Sequence, residues 1–118
     1  MNLFLQIITN KIFISTIAGY FLASLIKYII TIEKHHPNLH EFLMAGGMPS
    51  AHSATVSALS TALYLQEGFT DLFVITLVFS IIIIFDTMLR PKETRHSWKQ
   101  VIVGILLGII IGFLIKRI

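Results

Sequence analysis

Two histidines, one lysine and two arginines are the residues here whose types and spacing could do chemistry. His52 lies in the stretch GGMPSAHSAT, residues 46–55, and His96 follows Arg90 across five intervening residues, with Arg95 directly before it. The Gly46-Gly47 pair makes a turn, Pro49 suits the start of a helix, and Ser50 is a capping residue. His52 therefore falls in the first turn of a helix. A helix start offers unpaired N–H groups and about half a positive charge, which together attract an anion. An arginine fork matches phosphate oxygens. Two histidines can divide phosphoryl transfer, one attacking phosphorus while the other protonates the leaving oxygen.

The elements that must position these groups are membrane helices. Of the 118 residues, 55% are hydrophobic, above the roughly 45 to 50% of ordinary globular chains, and the mean hydropathy is +0.83. Such a length holds one domain, residues 1–118. The net charge of +3 comes from nine Lys and Arg against six Asp and Glu. Those cations sit between apolar spans, which is the flanking charge of membrane helices or the wall of an anion site, and no nucleic-acid partner is expected. With no cysteine, thiol nucleophiles, thiolate metal sites and disulfides drop out. The opening MNLFLQIITNK has no short apolar core followed by a small-residue cleavage site, so no cleaved signal peptide is expected.

Four spans follow, giving an all-α, polytopic bundle of about four transmembrane helices. The first runs from about Lys11 to Ile32 and ends in the polar loop 33–41. His35, His36, His40, Glu33 and Glu41 in that loop have no regular ligand spacing, and Pro37 interrupts them, so a solvated loop is preferred to a metal site. The second segment, about Ser50 to Gln66, is rich in Ala, Ser and Thr and suits a buried central helix that stops at Glu67-Gly68. A third, about Thr70 to Leu89, is strongly lipophilic until Asp86 and is closed by Pro91. The fourth, about Trp98 to Ile115, carries Gly104, Gly108 and Gly112 at intervals of four. This ladder is suited to close helix packing and offers a self-complementary face for a homo-oligomer.

Short loops make consecutive spans alternate direction, because open backbone is not tolerated in lipid. Lys27, Ser50, His52, Asp86, Arg90, Arg95 and His96 then share one membrane surface. Asp86 and Arg90, one helical turn apart, form an expected ion pair. More Lys and Arg lie on that face than on the face of Lys11, Lys116 and Arg117, which argues for a cytoplasmic site. Lys92 and Lys99 are read as topology charges, and Trp98 as an interfacial residue.

GGMPSAHSAT resembles the second signature of the type 2 phosphatidic acid phosphatase and vanadium haloperoxidase superfamily, and most closely its divergent membrane branch. Arg90 and His96 stand at the spacing of the third signature, and the run from His96 through Gly104 to Gly108 is similar to the branch's pattern after its histidine. Phe85-Asp86 and Lys27 also look like that branch, so the resemblance spans about residues 10–112. It implies an integral, multi-pass membrane phosphatase, in the cytoplasmic membrane if bacterial, that hydrolyses a phosphomonoester, favouring a lipid phosphate, without metal or other cofactor. His96 would be the nucleophile and His52 the general acid, with Arg90, Lys27, Ser50 and Arg95 holding phosphate and Asp86 in support.

Two departures support a rival reading. Gln100 stands where the superfamily has a carboxylate four residues after the nucleophile, and the Lys, six residues, Arg-Pro signature is missing. The rival is a non-catalytic membrane protein that keeps the scaffold as an anion-binding or packing module. A transporter or channel subunit is disfavoured by the lack of repeated halves and of intramembrane charges.

Overall fold

The structure, a computed structural model, describes residues 2–32, 48–89 and 97–118. The described residues form five helices: α1 (Leu3–Thr9), α2 (Lys11–Ile32), α3 (Ala51–Glu67), α4 (Asp71–Leu89) and α5 (Trp98–Arg117). The long axis measures 44 Å, close to the roughly 40 to 45 Å of a bilayer with its headgroups.

Three of these helices, α2, α4 and α5, are long and apolar enough to cross a membrane. The second expected span, α3, is not one of them. It has 17 residues and is dominated by Ala, Ser and Thr. Its burial is the reason it needs no lipophilic surface: α2, α4 and α5 all pack on it, and Ala51, Ala54, Ala58, Ala62 and Leu63 are buried. Short α1 lies outside the sequence expectations. Asn2 caps it by accepting from Leu5 N at 2.9 Å, and Asn10 then caps α2 by accepting from Phe13 N at 3.0 Å.

Small residues set the spacing. On α2, Ser15, Gly19, Ala23 and Lys27 recur every four residues and all are buried. Gly19 is so close to α3 that an added Cβ would stand 2.8 Å from Ala54 O. Ala23 packs with Ala51 and Ala54 and with the flanking Tyr20 and Leu107. On α5, the Gly104, Gly108 and Gly112 ladder runs along α3, facing Ser50 and Ser53, then Ala54 and Ser57, then Thr61. Rising numbers meet rising numbers, so α3 and α5 are parallel. The ladder therefore faces inward, and the free self-complementary face expected of it is covered by α3.

Helix α4 packs mainly on α3 and turns most of its surface outward. One polar link across that contact is Ser60 Oγ to Ser80 Oγ at 3.0 Å, of a kind worth about 0.6 kcal/mol in membrane proteins. Gly68 ends α3 with a φ of 78°, a left-handed turn that glycine adopts without strain, and its N–H donates to Tyr64 O at 2.8 Å.

Candidate functional site

Two helix starts converge at one end of the bundle. Ser50 is the N-cap of α3, its hydroxyl accepting from Ser53 N at 3.2 Å. The Ser50 N–H donates to Gln100 O at 3.1 Å, which ties the start of α3 to the first turn of α5. His52 is the second residue of α3, in the first turn as its sequence context requires.

Lys27 lies at the same end. It follows Ala23 by one turn on the stripe of α2 that packs against α3, and Ala23 already reaches Ala51 at the helix start. Only 8% of Lys27 is exposed. Among the described residues it is the one buried charged side chain. A buried ammonium in a membrane helix is costly and marks a functional site by default. Asp86 sits at the matching end of α4 and is exposed.

Gln100 has a structural occupation that its position four residues after His96 does not advertise. Its N–H donates to Ser97 Oγ at 3.3 Å, while its Oε1 accepts from Ser97 N at 2.9 Å. This reciprocal pair is a capping box, readable in the sequence as Ser97-Trp98-Lys99-Gln100. The side chain thus fixes the backbone next to His96. Replacing Gln100 with Ala is expected to destabilise the protein by about 1 kcal/mol through loss of the cap, whereas Gln100→Glu preserves the box and should melt within a few degrees of wild type. Thermal unfolding in detergent, followed by helicity, separates the two.

Arg90, Arg95 and His96 lie outside the described residues, as do the expected Asp86–Arg90 pair and the loop holding His35, His36 and His40. Of the expected site, the structure brings Lys27, Ser50, His52 and Gln100 to one end of the bundle.

An apolar groove of about 510 Å³ opens between α3, α4 and α5, lined by Val56, Ser60, Tyr64, Leu77, Ile84 and Ile109 among others. It starts at Val56, four residues and hence about 6 Å along α3 from His52.

A multi-pass helical membrane protein with a buried lysine beside two joined helix starts is the class that fold and site define. The chain belongs to the Divergent PAP2 family, which it matches over residues 8–93. That match takes in Lys27, Ser50, His52, Asp86 and Arg90 and ends before Arg95, His96 and Gln100. It is 35% identical over 98 residues to the uncharacterized membrane protein YuiD of Bacillus subtilis (strain 168), covering 81% of this chain and 60% of that protein. The chain thus spans less than two thirds of the length of this curated relative. No solved structure matches it.

Proposed function

We propose that the protein is a membrane phosphatase that hydrolyses a phosphomonoester, a lipid phosphate, through a phosphohistidine. The observation that carries this reading is the buried Lys27 at the bundle end where the starts of α3 and α5 meet. That arrangement suits a phosphoryl group, whose spread negative charge is stabilised by fixed cations and helix N–H groups. In the reaction, a His96 ring nitrogen attacks phosphorus and the bond to the leaving oxygen breaks. Protonated His52 gives that oxygen its proton, so the alcohol departs neutral. Water then attacks phosphorus, its proton passes to His52, and the P–N bond breaks, releasing phosphate and restoring the free His96 ring. Lys27 and Arg90 hold the non-bridging oxygens, with Ser50 and Arg95 beside them. The apolar groove beginning one turn from His52 suits an acyl chain and supports a lipid substrate over a soluble one.

A second reading rests on Gln100. Its carboxamide is engaged in the capping box, so no carboxylate is supplied at that position to orient His96, which favours a scaffold that binds an anion without turning it over.

The experiment is phosphate release by the purified full chain from lipid phosphates in EDTA, beside Lys27→Met. The expected result is turnover that the substitution lowers about 10²-fold or more, the scale of losing one transition-state oxyanion contact. Phosphate binding without release would select the scaffold reading, and neither binding nor release would overturn both.

A further inference from the structure

We propose a second anion site at the opposite end of the bundle, built by Lys11, Ser15, Gln66 and Lys116 and shaped for a phosphate-class oxyanion. It does not depend on the phosphatase reading. A cavity of about 90 Å³ lies there, lined by these four residues with Ala62 and Gly112. At about 30 Å³ per water, it has room for about three waters or one small tetrahedral ion.

The donor balance favours the ion. Lys11 Nζ donates to Lys116 O at 3.1 Å, and Lys116 Nζ donates to Leu65 O at 2.9 Å. An ammonium has three donors, so each lysine uses one on a carbonyl at a helix end and keeps others for the cavity. Ser15 supplies the independent observation. It is 1% exposed and lines the cavity, yet its Oγ has no hydrogen-bond partner among the described residues. A buried hydroxyl left unsatisfied costs about 1 to 3 kcal/mol, and an oxyanion between two ammonium groups would accept from it. The Gln66 amide adds N–H donors. No carboxylate is among the lining residues, so within the cavity itself the charge complementary to the two ammonium groups is left for a bound anion to supply.

Ser15 shares the α2 stripe with Lys27, three turns away along the helix. One face of α2 therefore reaches a cation-lined site at each end of the bundle. The same chemistry is offered by free phosphate and by the phosphate of an anionic lipid in the leaflet at this end.

Both sources can be tested on the full chain carrying Lys27→Met, which removes the buried cation from the other site. Inorganic phosphate is titrated calorimetrically in a phosphate-free detergent. In parallel, native mass spectrometry counts lipids retained from nanodiscs of phosphatidylcholine with phosphatidylglycerol. Binding is expected in at least one arm: the calorimetric arm identifies free phosphate, and retention of phosphatidylglycerol identifies a headgroup. Lys11→Gln with Lys116→Gln should weaken it about tenfold or more, and Ser15→Ala about threefold. Ser15→Ala removes one buried hydroxyl and keeps the test open if the double variant fails to fold. No binding in either arm, or binding that Ser15→Ala and any folded lysine variant leave within about twofold, would overturn the site.

Discussion

His96→Ala is expected to abolish phosphate release from every substrate, while His52→Ala should lower it by an amount that depends on the leaving group. The asymmetry follows from the two roles proposed. Without the His96 nitrogen there is no covalent intermediate, and the leaving group's acidity is irrelevant. Without the His52 proton, an aliphatic alcohol must depart as an alkoxide, and a general acid is typically worth about 10² to 10⁴. A nitrophenyl phosphate needs no such help, since its phenolate is a stable anion. The deficit of His52→Ala should therefore fall from about 10³ on an alkyl lipid phosphate to about tenfold or less on the aryl ester. Comparing kcat/KM for the two esters in wild type and both variants provides the check. An equal deficit on both esters would remove His52 from the acid role and leave it a helix-start residue that merely binds.

The site and the fold were legible in the sequence to different degrees, for physical reasons. The span from about Lys11 to Ile32 could be read because a membrane helix announces itself by apolar length even with a lone Lys27 near its end, and α2 occupies that range. The start of α3 was equally plain, since a glycine pair, a proline and a capping serine leave the backbone little choice before Ala51. Helix α1 was missed because seven residues carry too little pattern, and its two caps, Asn2 and Asn10, are common polar residues at a chain start. The glycine ladder declared close packing but not its partner. Small residues reveal that a backbone approaches, and only the three-dimensional arrangement shows that it is α3. Gln100 reads as a lost carboxylate when counted from His96, and the structure shows that it closes a cap with Ser97. The cavity around Ser15 could not be read at all: Lys11 and Lys116 are 105 positions apart, and a serine in a membrane helix is unremarkable on its own.

Gly108→Ala is expected to cost more stability than its single methyl suggests, and to damage activity further still. A Cβ at residue 108 would stand 2.5 Å from Ala54 O and 2.8 Å from Ala58 N, and would collide with Ser57 Oγ. The serine can rotate, but the two backbone atoms belong to α3 and cannot yield without moving the helix. Overpacking of this kind costs about 1 to 3 kcal/mol. Against it stands the better helix propensity of alanine, about 1 kcal/mol; with two backbone atoms of α3 closer than 3.0 Å the cost falls in the upper part of that range, leaving a net loss of about 1 to 2 kcal/mol, and Gly108→Leu should prevent the native packing altogether. Ile110→Ala is the matched control, because Ile110 is exposed on the outer side of α5 and its truncation leaves the α3 contact intact. Unfolding in mixed micelles, with helicity as readout, should place Gly108→Ala well below both wild type and the control. The consequence for function comes from the hydrogen bond between Ser50 N and Gln100 O. A helix pushed outward at Gly108 drags Gln100 and the residues before it away from the start of α3. In the proposed mechanism His52 and His96 must reach the same phosphorus and leaving oxygen, and Gln100 belongs to the helix that follows His96 in the chain. A fraction of an ångström there is felt in a phosphoryl transfer whose catalysis is mostly positioning. Phosphate release should accordingly fall by about 10²-fold even under conditions where Gly108→Ala is fully helical. Full activity in that helical variant would mean that the α3–α5 contact supports the fold without aligning the reacting groups.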